Sequence, residues 1–227
     1  LLYLQIPPLR EVDETPRPVG YWQDFLDRVI PQLGYLGNDF SLPSDPEQMR
    51  TALVGFIIAA YPGAKSYLIE DCGLSIEKVE AYPIAQVVFL ATVRYYDEAR
   101  DEYSKWEHVP FWQAEKARTK SGFEALMRAK SNRVGWCSAP AEMLLPASTT
   151  VRTANARIQQ QFARLQAVEA IRMYGAANDG QLPHSLDALP VPLPVEPFNG
   201  KPLSYHVQGN SAVLSGHKTP GVQYRLV

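Results

Sequence analysis

Apolar residues recur at helical spacing along most of this chain, until Asn178-Asp179-Gly180 stops a long helix and short, proline-punctuated strands take over. In the stretch Ile84 to Glu107, Ala85, Val88, Thr92, Tyr95, Ala99, Tyr103 and Trp106 return every three or four positions. That spacing predicts a helix with one buried face, with Asp97, Glu98, Asp101 and Glu102 falling largely away from it. The longest helix is expected over Ala147–Ala177, with Val151, Ala154, Ile158, Phe162, Leu165, Val168, Ile171 and Tyr174 as its core-facing stripe. Phe162 is then a core residue.

Shorter helices fit Tyr21–Ile30, ended by Pro31, and residues 44–60, where Ser44 caps, Glu47 follows three positions on, and Pro62-Gly63 stops the helix. Further helices fit Ala64–Asp71, Ile76–Ala81 after Ser75, and a span from Pro110 to Lys130, with residues 131–146 irregular. Pro7, Pro8, Pro16 and Pro18 predict an extended path for residues 1–20. Beyond the long helix come a single turn at Ser185–Leu189, an extended Pro190–Pro197 run, a hairpin of Leu203–Gln208 and Ser211–Ser215 across Gly209-Asn210, and a third strand at Val222–Leu226. The fold expected is α+β in two regions. Residues 1–146 form a mainly helical body, and residues 147–227 a long helix with a small antiparallel meander.

Composition narrows the function classes. With 227 residues, 46% hydrophobic and 20% charged, the chain can bury a sizeable core without metals or dense disulfides. A net charge of -2 carries no basic excess of the kind a nucleic-acid binder shows. The best apolar run, Ala52 to Ala60, is too short to span a bilayer. The chain opens Leu-Leu-Tyr-Leu-Gln-Ile without an initiator Met, so a processed chain is expected, and membrane association could come from a segment preceding Leu1.

Candidate chemistry is sparse. The run Asp97-Glu98-Ala99-Arg100-Asp101-Glu102 pairs carboxylates one helical turn apart, but Arg94, Arg100 and Lys105 stand at neutralising spacings. His108, His184, His206 and His217 offer no two-ligand spacing, no Ser lies in Gly-x-Ser-x-Gly, and no glycine-rich loop cradles phosphate. No catalytic, cofactor or metal residue is assigned. Cys72 and Cys137 belong to no Cys-x-x-Cys pair. Two readings stay open for them: separate buried thiols, or one Cys72–Cys137 disulfide that would contribute about 4 kcal/mol. Most of the aromatic group Tyr95, Tyr96, Tyr103, Trp106, Phe111 and Trp112 falls on core spacing, and Tyr96 and Trp112 are its candidates for exposed contact residues. Pro192, Leu193 and Pro194, within alternating prolines and aliphatics, are candidates for a polyproline contact.

The stretch Arg164-Leu165-Gln166-Ala167-Val168-Glu169-Ala170-Ile171-Arg172-Met173-Tyr174, followed by Asn178-Asp179-Gly180-Gln181-Leu182-Pro183, resembles the helix end and exit of type II secretion pseudopilins. Ser185–Leu189 is similar to their short loop helix, Glu196-Pro197-Phe198-Asn199-Gly200-Lys201-Pro202-Leu203-Ser204-Tyr205 to their Asp-Pro-Trp-Gly-Asn-Pro segment, and Ser215-Gly216 to a later Ser-x-Gly. The resemblance covers residues 150–216 and is shared with uncharacterised exported bacterial proteins. Some 145 largely helical residues precede it, unlike a pseudopilin, and Glu196 stands where the family has Asp, so no calcium site is carried over. The resemblance implies an exported, periplasmic or membrane-associated setting in the cell envelope.

Taken together, these features lead to the expectation of a non-catalytic structural or interaction protein, a subunit or accessory of a larger assembly that contacts other protein subunits. The segments 1–20 and 190–198 are its expected docking surfaces. The alternative is an extracytoplasmic hydrolase or ligand-binding protein with a cleft between helical body and sheet.

Overall fold

The structure, a computed structural model, describes residues 2–36, 43, 45–209, 211–216 and 224–226. The fold is α+β: helices dominate, and one small antiparallel sheet lies near the C-terminus. The chain divides into two compact units, Leu1–Lys105 with Gly122–Ser148, and Trp106–Ser121 with Thr149–Val227. The segment 106–121, expected in the helical body, thus belongs with the C-terminal unit.

The first unit holds α1 (Leu2–Gln5), α2 (Val19–Leu36), α3 (Pro46–Glu70), α4 (Ile76–Glu80) and α5 (Ile84–Ser104). After the excursion through α6 (Phe111–Ser121) it resumes with α7 (Phe123–Val134) and α8 (Ala139–Leu144). Its centre is α5, buried all round from Gln86 to Val93. Trp22 and Phe25 of α2 reach Phe89 with ring centroids 6.0 and 5.0 Å away, and Tyr67 of α3 meets Tyr95 edge-on at 6.1 Å.

Proline misled the reading in three places. Residues 1–20 are not simply extended: after α1, Pro7–Glu11 forms a 3-10 turn. Prolines open that turn, where an N–H would be unpaired anyway. Leu2, Ile6, Leu9 and Val12 are buried in the core, and the Leu2 N–H donates to the Tyr96 hydroxyl at 3.1 Å. This segment is packed into its own unit, which corrects its expectation as an extended docking surface. Pro62 does not stop α3, nor Pro31 α2. Both prolines lie on exposed positions, and the residues four before them, Ile58 and Asp27, are exposed too, so water can pair the released carbonyls. Gly63 permits the close crossing with α7: a Cβ there would lie 3.0 Å from the Val134 carbonyl oxygen. The expected helix from Pro110 to Lys130 is instead split into α6 and α7 by Gly122, whose φ is +64°. The cap of α3 is Asp45, whose carboxylate accepts from Gln48 N–H at 2.9 Å; Ser44 lies outside the described residues.

The second unit is built on α9 (Pro146–Ala177), which ends where Asp179 and Gly180 turn left-handed. A 3-10 turn at Leu186–Ala188 leads to β1 (Ser204–Gln208), β2 (Ser211–Ser215) and β3 (Tyr224–Leu226). The order is β1-β2-β3, antiparallel throughout, with Tyr205 opposite Leu214 and Leu214 opposite Tyr224. Asn210 of the hairpin turn lies outside the described residues. Leu203 and Leu214 pack on Ala167 and Val168 of α9, with Leu186, Leu193 and Tyr205 around them. The core stripe expected for α9 is contradicted over its first half. Phe162 is 62% exposed, Val151 64%, Ile158 53% and Leu165 48%, while only Val168 and Ile171 of that stripe are fully buried. The helix turns Ala156, Ala163, Ala167 and Ala170 inward instead, small residues that let its backbone sit close to its neighbours.

Candidate interaction surface

The outward face of α9 is the least ordinary surface of the second unit. Val151, Ala154, Ile158, Phe162 and Leu165 follow one another at spacings of three and four, so they line one side of the helix over about 21 Å. Asn155, Gln159, Gln161 and Gln166 border them. The helix carries four arginines, Arg152, Arg157, Arg164 and Arg172, against one acid, Glu169, which pairs with Arg172 at 2.7 Å. Arg152 and Arg157 lie to either side of the stripe, and neither has an ion pair or hydrogen bond to a described residue. Large apolar residues in water cost free energy that folding alone does not recover, about 1.5–3 kcal/mol for each full side chain.

Beside this stripe, residues 107–111, Arg152, Asn155, Ala156 and Gln159 line an open cavity of about 340 Å3. The Arg152 guanidinium stands 6.0 Å from the Phe111 ring centroid, and Phe111 meets Phe198 edge-on at 5.1 Å. Burial, then the positive charge of Arg118, pull the Arg152 pKa down. The charges of Glu115 and Glu107 oppose that shift, but this partly desolvated cation forms no ion pair with a described residue.

The inward face of the same helix is polar at its centre. Gln160, Arg164 and Glu196 are all essentially inaccessible. Gln160 Nε2 donates to Glu196 Oε1, while Glu196 Oε2 accepts the backbone N–H groups of Phe198 and Asn199, each at 3.1 Å. Glu196 N–H donates to the Lys201 carbonyl and Gly200 N–H to the Glu196 carbonyl, both at 2.8 Å, so the carboxylate closes a tight turn and ties it to α9. Arg164 and Glu196 converge on Gly216, where a Cβ would lie 3.1 Å from Arg164 Nη2 and 3.4 Å from Glu196 Cγ. Arg164 Nε and Nη1 are buried without hydrogen-bond partners among the described residues, and the nearby carboxylate offsets part of the cost of burying that cation.

The expected contact residues fare unevenly. Tyr96 is 1% exposed and corrects to a core residue. Trp112 is half-buried with its ring against the Gly200 turn, where a Cβ would come within 2.3 Å of the indole; its face is spent on intramolecular packing. Pro192 and Pro194 are exposed, and Leu193 is half-buried against the small core. Cys72 and Cys137 are both free, so no bridge joins them. Cys137 is buried with Sγ 3.7 Å from the Val88 carbonyl, and burial pushes its pKa to about 11; burial also raises that of Cys72.

The acidic run is an ion-paired helix face. Asp97 accepts from the Tyr3 hydroxyl at 2.8 Å, Arg100 bonds Asp97 at 2.8 Å and Asp101 at 2.9 Å, Glu102 pairs with Lys105, and Glu98 with Lys130. His108, His184 and His206 are exposed, and His217 lies outside the described residues. Among the described residues, no three His, Cys, Asp or Glu side chains form a metal-binding group.

A second apolar face lies on α3 in the first unit. Thr51, Val54, Gly55, Ile58, Ala59 and Pro62 point outward, and no charge interrupts the helix between Arg50 and Lys65. As one continuous helix of 25 residues, α3 meets the length and composition of a membrane span, which the proline-interrupted reading did not foresee; its inner side is committed to the core. The inward polar cluster and the unpaired Arg152 were also missed. Their partners come from distant segments, and periodicity on one helix carries no signal for them. Comparison with family models, curated proteins and solved structures finds no match to this chain.

Proposed function

We propose that this chain works by contact, as a non-catalytic subunit or accessory of a larger assembly in the bacterial cell envelope. The observation that carries the reading is the inverted helix α9, with alanines and a polar cluster inside and Val151, Ile158, Phe162 and Leu165 outside. Such a face contributes little to its own fold and much to an interface, whose centres favour aromatic and aliphatic anchors. The uncharged outer face of α3 and the exposed Pro192 and Pro194 add further apolar surface. The envelope setting rests on the resemblance of residues 150–216 to pseudopilin soluble domains.

The test is the size of the tagged full-length protein in gently solubilised envelope fractions of its source cells. Wild type is expected in a species far heavier than 25.4 kDa, and a Phe162→Asp variant of unchanged thermal stability as the free chain. Wild type found only as free chain, or an equally large complex for Phe162→Asp, contradicts the reading.

A further inference from the structure

We propose that the outward face of α9 receives an amphipathic helix of a different protein, one whose apolar stripe is flanked by acids and which places a carboxylate in the cavity beside Arg152. This rests on the contact reading above and names the partner's chemistry.

Three observations choose that occupant. The stripe Val151, Ala154, Ile158, Phe162, Leu165 has the spacing that seats another helix, whose anchors would fall at three- and four-residue intervals. An arginine stands on either side: Arg157 and Arg152 form no ion pair with a described residue, Glu115 and Glu107 acting on Arg152 only at longer range, and Glu169 is already held by Arg172. A partner helix with glutamates or aspartates beside its apolar positions supplies carboxylates at ion-pair distance. The cavity is concave and of side-chain scale, at about 340 Å3, with Arg152 and the amides of Asn155 and Gln159 in its lining. A carboxylate entering there can accept from the guanidinium in a partly desolvated setting, where such bonds are strong.

Other occupants fit less well. A second copy would bring arginine-rich flanks against arginine-rich flanks, with no free acid on either helix. An anionic bilayer would satisfy the charges, but a flat surface cannot fill the cavity. The α3 face gives no comparable direction, because Arg50 is paired with Asp27 and Lys65 with Glu80. Two acids act on Arg152 without pairing with it: Glu115, which is held by Arg118 at 3.1 Å, and Glu107 in the cavity lining, which the incoming carboxylate would meet. The partner's acid should therefore sit toward Asn155 and Gln159.

The experiment measures fluorescence anisotropy of three labelled synthetic helical peptides with the full chain. All share leucine and isoleucine at the contact positions, and their flanks are all Glu, all Gln or all Lys. The Glu peptide is expected to bind at least about tenfold more tightly than the Lys peptide, with an affinity that falls as salt rises. Arg152→Gln should weaken the Glu peptide about five- to tenfold and flatten its salt dependence, while Arg152→Lys keeps most of the binding. Phe162→Ser should abolish it. Circular dichroism verifies that each variant is folded.

Equal affinity for the Glu and Lys peptides, or an Arg152→Gln variant that binds like wild type, overturns the acidic partner; loss in Phe162→Ser would still leave the contact reading standing. Failure of the Glu peptide to bind also overturns the proposal. In that case, binding to vesicles of phosphatidylserine and phosphatidylcholine would assign the face to membrane, and self-association removed by Phe162→Ser would assign it to a second copy. Binding of peptide that Phe162→Ser does not change removes the face itself, and the contact reading of α9 with it.

Discussion

Helices α5 and α9 share the same apolar period and put it to opposite uses. In α5 the residues Val88, Tyr95 and Ala99 of the periodic stripe are buried, and so are Val87, Leu90 and Tyr96 beside them, because α2, α3, α7 and α8 crowd around that helix. In α9 the large residues face water, and the buried side is alanine, glutamine and arginine. Period tells which residues share a face; it does not tell which face has a neighbour. An apolar stripe is evidence of a contact, and only the surrounding elements decide whether that contact lies within the chain.

The sharpest way to break this contrast is to cut into each helix. Tyr96→Ala removes a fully buried ring and the acceptor of the Leu2 N–H, and should cost about 3–5 kcal/mol in urea unfolding. A loss under about 1 kcal/mol would deny α5 its central place.

The inward polar face of α9 is next in size. Glu196→Ala leaves Gln160 and two backbone N–H groups without their acceptor and should cost about 3 kcal/mol, whereas Glu196→Gln keeps an acceptor and should cost less than half of that. Equal losses for the two variants would mean that volume matters there and hydrogen bonding does not.

Cys137 probes the first unit through pH. Its folded pKa, about 11, lies above the ordinary 9.0, so the folded state keeps a proton that the unfolded chain releases. The associated stability is fully present below pH 9 and is lost as pH rises toward 11, by about 2–3 kcal/mol in all. Unfolding of wild type and Cys137→Ala at pH 8 and pH 10.5 isolates the effect: the variant should lack this part of the alkaline loss. Parallel pH profiles would show that the thiol is not buried.

Phe162→Ala should be the smallest change, within about 0.5 kcal/mol of wild type, because its side chain is already in water. A cost approaching that of Tyr96→Ala would return Phe162 to the core and erase the contrast between the helices.

Much of the fold was legible in the sequence. The helical periods, the Ser75 cap, the Asn178-Asp179-Gly180 stop and the hairpin around Gly209 all act locally, and local signals survive without knowledge of the rest of the chain. Proline was over-read at Pro7, Pro31 and Pro62, since its cost depends on whether the released carbonyl reaches water or the ring opens a turn. The surface was less legible. Tyr96 looked like a contact residue and is core, Phe162 looked like core and is exposed, and Glu196 gave no hint of its bond to Gln160, 36 residues earlier in the chain. Each miss concerns a partner supplied by tertiary structure, which a one-helix pattern does not contain.

The most direct test of the outward-facing stripe is hydroxyl-radical footprinting of the isolated native chain, read residue by residue at Phe162, Phe25 and Phe89. Phe25 and Phe89 are nearly inaccessible in the fold, whereas Phe162 is 62% exposed. Phe162 is expected to react at a rate close to its rate in the urea-unfolded chain, with Phe25 and Phe89 strongly protected. Protection of Phe162 equal to that of Phe25 would place the stripe in the core and contradict the account.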